Sequence, residues 1–326
     1  MAFLVVEKGP CLLQRRIHRT LAYAMKAYVG VTDSAWFRFL ASLPTVAVDE
    51  VNFWQPGPHG FKALTPGEVF LFKLHYPEHF IVGGGFFAGY SVLPCGLAWD
   101  AFGSKNGTET FEMMLSRIEH YRRQPATSDT EIGCILLEQP FFFPRDEWIP
   151  APDDWSRNIV SGKTYDLAER HDLWEAVQYR LIALSPETAE EDAREMFTES
   201  WVRRRLGQGS FRALVTQTYQ RRCAITRDKI LPVLQAAHIR PITAGGQHRV
   251  ENGLLVRSDV HTLFDHGYLG VTPDYRLRVS GQLRDDFDNG EYYYALAGSE
   301  IWVPSRAEDR PDTELLEWHG DMVFRG

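Results

Sequence analysis

The sequence contains no uninterrupted apolar stretch approaching the roughly 18–20 residues that span a bilayer, and it does not open on a basic region followed by an apolar run and a cleavage site. The chain is therefore expected to work in the cytoplasm, away from membranes. It has only four cysteines, at positions 11, 95, 134 and 223, and no Cys-x-x-Cys pair. That argues against a zinc ribbon and against a disulfide framework. Low-complexity tracts and internal repeats are missing. With 44% hydrophobic and 24% charged residues, neither disorder nor a fibrous architecture is expected. The run Gly83-Gly84-Gly85 has no Lys-Ser/Thr after it, so it does not make a phosphate loop. Excess positive charge is lacking too: the net charge is −8, which taken whole argues against a nucleic-acid partner.

The whole-chain sum hides an uneven distribution. Residues 203–257 carry 11 Lys/Arg against two Asp/Glu, whereas both flanks are acidic. The basic stretch runs from Arg203-Arg204-Arg205 through Arg221, Arg222, Arg227, Lys229, Arg240 and Arg249 to Arg257. Arginine supplies charge and paired hydrogen bonds to phosphate oxygens, although a run of charge alone is equally a solvated face.

A chain of 326 residues accommodates two domains at about 100–200 residues each. Residues 11–43 have scattered helical character. Aromatic and β-branched runs at Val51–Trp54, Val69–Leu74 and Phe80–Val82, punctuated by Pro56-Gly57, Pro66-Gly67 and the three glycines, read as strands of a β-rich barrel. Apolar residues at Phe111, Met114, Leu115 and Ile118 predict a helix over 108–123, with Thr108 or Thr110 as cap. A strand is expected at Ile132–Glu138, another segment at Gly162–Asp166 completes the unit, and Leu173–Leu184 is helical. Ser185-Pro-Glu-Thr opens a further acidic helix. This divides the chain into an N-terminal domain (1–185), a helical linker (186–205) and a C-terminal domain (206–326).

Within the basic stretch stand Leu234-Gln-Ala-Ala-His238-Ile239, Asn252-Gly-Leu-Leu-Val-Arg257 and His261-Thr-Leu-Phe-Asp265. His238 should end one strand, Leu254–Val256 should lie in a second, and His261 should open a helix. Four residues apart, His261 and Asp265 share one helix face and suit a common cation such as Mg²⁺, Mn²⁺ or Zn²⁺. Taken singly, Asn252-Gly253 also suits a β-turn, and either histidine suits a structural role.

Asn252 follows His238 by fourteen positions and His261 follows Asn252 by nine. This triple, with Ala-Ala-His-Ile, Asn-Gly-Leu-Leu and His-x-Leu-Phe-Asp-x-Gly around it, resembles the HNH endonucleases over residues 215–275. The resemblance implies a ββα-metal fold that hydrolyses phosphodiesters and leaves a 5′-phosphate and a 3′-hydroxyl. It implies that His238, Asn252 and His261 are catalytic. His238 is the expected general base, Asn252 braces the hairpin, and His261 with Asp265 holds a divalent metal, Mg²⁺ or Mn²⁺ first. Many members carry Asp or His just before the first histidine; here Ala237 cannot coordinate, so waters, phosphate oxygens or His266 would complete the shell. Arg240, Arg249, Arg257, Arg221 and Arg222 are the expected phosphate contacts.

An HNH unit cuts with little sequence preference, so the N-terminal domain is expected to select the target. Asn52-Phe-Trp54, Pro66–Lys73 and Ile81–Phe86 resemble the PUA-like superfamily (EVE, ASCH, YTH and SRA domains) over about residues 45–165. That likeness implies an α+β chain: a PUA-like β-barrel with flanking helices, followed by the ββα-metal domain. It also implies recognition of a modified base turned out of double-stranded DNA into an aromatic cage. Asn52, Trp54, Tyr90, Trp99 and Asp100 are the foremost candidates, with Trp36, Phe102 and Asn106 behind them, although any one aromatic suits the core equally. The expected protein is a homodimeric, modification-dependent DNA endonuclease. Two alternatives stay open: an HNH nuclease whose first domain senses RNA or a small ligand, and a non-catalytic binding protein on a degenerate HNH fold.

Overall fold

Residues 26–184 and 206–326 are described by a computed structural model of the protein. Cys11, the helix expected from Ser185, the linker 186–205 and the triple Arg203-Arg204-Arg205 lie outside the described residues. Strand β3 (Val69–Leu74) shows what organises the first part. Its six residues are all buried, and they alternate between two apolar clusters, Val69 and Leu71 in one and Phe70, Phe72 and Leu74 in the other. A sheet that is apolar on both faces needs cover on both sides. Helix α1 (Ser34–Ser42) covers the Phe70/Phe72 face with Trp36, Phe37 and Leu40. Helices α2 (Cys95–Phe102), α3 (Phe111–Arg122) and α4 (His171–Leu184) cover the other with Ala98, Phe102, Met114, Ile118, Leu173 and Val177.

The sheet has the order β2 (Glu50–Gln55), β5 (Glu131–Phe142), β4 (Phe80–Pro94), β3, β1 (Lys26–Thr32), β7 (Gly162–Asp166), with β6 (Ile149–Pro150) joined to β4. Every pairing is antiparallel except β1 with β3. The expected barrel is not formed. Among the described residues no pairing joins β2 to β7, so the sheet stays open. The reason lies in the two-sided apolar pattern of β3, which calls for layers on both faces rather than closure around one.

Two local expectations also change. Residues 26–32 of the segment read as helical form β1, because Tyr28, Val29 and Val31 fit a pleated strand between β3 and β7. The three glycines do not end a strand: β4 runs through them for 15 residues. A Cβ on Gly83 would stand 2.2 Å from the Phe141 carbonyl oxygen, and one on Gly84 would stand 2.5 Å from that of Phe70. Glycine there permits close backbone approach beside a register shift between Gly84 and Phe86. Helix α3 begins as expected, with the Thr110 hydroxyl accepting from Met113 N.

In the second part, helix α5 (Gln208–Thr218) leads to the hairpin β8 (Leu234–His238) and β9 (Gly253–Arg257), then to α6 (Ser258–Asp265), in the expected ββα order. A second hairpin, β10 (Leu269–Val271) with β11 (Leu277–Val279), follows. After it come α7 (Gln282–Phe287), α8 (Glu291–Tyr294) and α9 (Thr313–Met322). Phe211, Val215, Leu254, Val260, Phe264 and Leu316 share the core. No helix among the described residues is long and apolar enough to cross a membrane.

Helix α5 belongs to both parts: Ala213 packs in the first core, Phe211 and Val215 in the second. Its first turn is held by two carboxylates from the sheet. Glu50 accepts from Gly209 N (2.9 Å) and Ser210 N (2.7 Å), and Glu138 accepts from Gly207 N (3.0 Å). The two acids are cross-strand neighbours on β2 and β5 and both are buried. Lys105 pairs with Glu50 at 3.0 Å. Burial, and after it the Glu50 charge, pushes the Glu138 carboxyl well above its ordinary 4.5.

A carboxyl raised in the folded state contributes stability below its unfolded pKa and loses it as pH rises through the folded value. Urea denaturation should therefore show stability declining from the acidic toward the neutral range. Glu138→Gln, which keeps a neutral acceptor for Gly207, should flatten that decline and leave the neutral-pH protein at least as stable as wild type.

Candidate active site

His238 is the last residue of β8, opposite Gly253 in the hairpin register. Gly253 has an extended backbone, φ −123°, so Asn252-Gly253 makes no left-handed turn. Its missing side chain instead admits α5: a Cβ there would lie 2.6 Å from Val215 and 3.0 Å from Phe211. Phe211 stacks on the His238 ring, 4.1 Å between centroids at 11°. His238 Nε2 lies 3.0 Å from Nδ1 of His248, in the loop between the two strands. Burial, then the neighbouring His248 and His261, pushes His238 down to about 4. At neutral pH its imidazole is uncharged and has a lone pair to offer.

Asn252 is buried, and its amide closes the loop around His238. Oδ1 accepts from Arg240 N (2.8 Å), while Nδ2 donates to the carbonyls of Arg240 (3.0 Å) and Gln247 (2.8 Å). Its own carbonyl accepts from Ile239 N at 2.9 Å, directly after His238. The asparagine thus fixes the backbone on both sides of the loop that carries both histidines.

His261 lies in the middle of α6. Its Nδ1 meets Gln235 Oε1 at 2.7 Å and its Nε2 meets Asp265 Oδ2 at 3.3 Å. An amide oxygen only accepts, so Nδ1 carries a proton, and Nε2 faces the carboxylate. With that nitrogen unprotonated, the two would suit a cation between them. Among the described residues, no group of three or more His, Cys, Asp or Glu could hold a metal ion. Two such ligands alone would leave most of a divalent cation's shell to other donors. Ala237 is fully buried beneath the hairpin, and His266 turns its Nδ1 back to the Thr262 carbonyl at 2.7 Å.

The arginines are placed differently from one another. Arg257 pairs with Asp228 and Asp259, Arg221 with Glu131, and Arg249 with Glu251. Arg240 lies over the Trp318 ring, 5.1 Å from its centroid, and donates to the Ala244 carbonyl. Arg222 has a buried Nε with no partner.

Of the candidate base-reading residues, Asn52 and Trp54 on β2 meet at Asn106. Asn52 Nδ2 donates to Asn106 Oδ1 (2.9 Å), and Trp54 Nε1 donates to the Asn106 carbonyl (3.0 Å). Asn52 Oδ1 is buried without a partner. Tyr90 sits two strands away on β4, its hydroxyl accepting from Gly60 N. Trp99 and Asp100 are on α2, Trp99 tilted against Phe111 and Asp100 exposed. Trp36 and Phe102 are in the core. Sequence reasoning missed His248, Gln235, Phe211 and Glu50. Of these only His248, a histidine inside the loop that follows His238, carries a sequence signal.

Residues 223–272 match the model of the HNH endonuclease family. The chain carries an HNH endonuclease domain. His238, His248, Asn252, His261 and Asp265 all lie inside the matched segment. No curated protein matches the sequence. Among solved structures, a modification-dependent TagI restriction endonuclease is similar at 11% identity and a TM-score of 0.26, over 85% of this chain and 76% of that one.

Asn252→Ala would leave three backbone groups of the HNH loop without partners. At about 1 kcal/mol per bond, with the buried groups left unpaired, the expected loss is about 2–4 kcal/mol. Urea unfolding monitored by circular dichroism checks it.

Proposed function

We propose that the protein is a modification-dependent DNA endonuclease of the restriction type. Residues 1–185 read a modified base, a cytosine turned out of the duplex. Residues 206–326 cut the backbone nearby, residues 186–205 link the two, and two copies act together on the two strands. The observation that carries the reading is the uncharged His238 at the end of an Asn252-braced hairpin, with the His261/Asp265 pair on the following helix. His238 takes the proton of the attacking water, and Asn252 keeps it in place through the loop backbone. His261 and Asp265 would hold a divalent cation, Mg²⁺ or Mn²⁺, which would supply positive charge for the phosphate oxygens. Arg240, whose guanidinium meets the Ala244 carbonyl and the Trp318 ring rather than a carboxylate, is the leading phosphate contact. Arg221, Arg249 and Arg257 serve the phosphates only by sharing or exchanging their present partners, and Arg222 serves them alongside.

The reading role of the first part is supported by its route to the site. Strand β2 carries Asn52 and Trp54, with Asn106 alongside, and the same strand carries Glu50. Glu50 holds the first turn of α5, and Phe211 of that helix stacks on His238. A base edge at Asn52, with its unpartnered Oδ1, would sit two residues along the strand from the carboxylate that positions the nuclease helix.

Digestion of plasmid and phage DNAs that differ only in cytosine modification tests the reading. Cutting with Mg²⁺ or Mn²⁺ is expected for modified DNA, with loss of about 10²-fold or more in rate for His238→Ala. Trp54→Ala should lower the preference for modified over plain DNA while the protein still cuts. Equal cutting of both DNAs, unchanged by Trp54→Ala, would remove the reader assignment and leave the nuclease.

A further inference from the structure

The geometry points to His248 as a positioning residue for the reaction: its Nδ1 accepts a hydrogen bond from Nε2 of His238 and so holds His238 in the tautomer that leaves Nδ1 bare for the water proton. The inference rests on the assignment of His238 as general base and deepens it. The two nitrogens stand 3.0 Å apart, a hydrogen-bond distance at which one atom donates and the other accepts. Each neutral imidazole has one N–H and one lone pair, so only two arrangements exist. If His248 donates, the lone pair of His238 is consumed by the contact and its Nδ1 carries the remaining proton, which leaves no base. If His248 accepts, His238 has Nε2–H toward His248 and a free lone pair at Nδ1. Only the second arrangement can deprotonate water.

The surroundings hold the two rings in place. Phe211 stacks on His238 at 4.1 Å and lies 5.6 Å from His248 at a tilt, so the two rings are held in one apolar sleeve that restricts their rotation. The loop between them is pinned by Asn252 through Gln247, the residue next to His248. Burial holds His248 below its ordinary 6.5, with the nearby Glu50 and Asp49 charges opposing it only in part, so both rings of the pair are neutral near pH 7. In the step itself the water proton moves to His238 Nδ1 and the water oxygen bonds to phosphorus. The P–O3′ bond breaks with its electron pair on O3′, which solvent protonates. The imidazolium left on His238 is then stabilised through Nε2–H donated to His248, the part that an orienting acceptor plays behind a histidine base.

The test uses the full chain with Mg²⁺ on a cleavable DNA, comparing wild type with His248→Ala, His248→Asn and His238→Ala. His248→Ala is expected to lower kcat by about 10²-fold with KM for DNA within about twofold. His248→Asn, whose amide oxygen accepts, should recover about tenfold of that loss, and both variants should melt like wild type. A second readout does not need cutting. In metal-free wild type, imidazole ¹⁵N spectra should show His238 protonated at Nε2 and bare at Nδ1, and a mixture of tautomers in His248→Ala. The proposal is overturned if His248→Ala cuts at the wild-type rate, if Asn gives no recovery, or if wild-type His238 carries its proton on Nδ1. Undiminished cutting by His238→Ala would instead remove the base assignment beneath it, a separate failure.

Discussion

The arrangement of the catalytic end depends on one contact, the Glu50 carboxylate at the first turn of α5. Burying an ionised carboxylate costs several kcal/mol unless its oxygens are hydrogen-bonded. Here two backbone N–H groups and Lys105 meet that need, and the helix N-terminus adds its favourable dipole. The contact in turn dictates the residues around it. A Cβ on Gly207 would stand 2.3 Å from the Glu50 carboxyl carbon, and one on Gly209 would stand 2.6 Å from the Ala101 carbonyl oxygen. With the first turn fixed, Phe211 has one place to go, and the His238 ring lies flat against it. The sheet of the first part therefore sets the attitude of the His238 ring.

Much of the HNH segment was legible because its constraints are local. His238, Asn252 and His261 are tied by a short hairpin and one helix, so their spacing in the chain translates almost directly into proximity. The helix over 108–123 was legible for the same reason, through periodicity and a threonine cap. What was not legible arises between distant residues. Both faces of β3 are apolar, and a run of aromatics does not say whether a sheet will close or be covered. The three glycines read as punctuation, yet their meaning comes from Phe70 and Phe141, which approach from other strands. Glu50 carries no signal of its own in the sequence, because its role depends on a helix that begins some 160 positions later.

The basic stretch shows the same limit in electrostatic form. Counting along the chain isolates residues 203–257 as strongly positive, but folding brings acids to it from elsewhere, with Glu131 on Arg221 and Asp259 on Arg257. Much of the charge is thereby spent inside the protein, fixing strands and loops. Fewer cations are left for phosphate than the count implies, and affinity for plain DNA through counterion release falls accordingly.

Because α5 is shared between two cores, the nuclease end cannot be treated as a freely exchangeable cassette. A piece beginning at residue 206 would carry Ala213 and Leu214, which now pack against the first core, into water, and the N–H groups of its first turn would lose their carboxylates. Recombination between proteins of this architecture would preserve the fold only where the incoming sheet offers an equivalent acid pair across its second and fifth strands. Glu50 and Glu138 thus act as a compatibility mark, deciding which sheets this HNH unit can be inherited with.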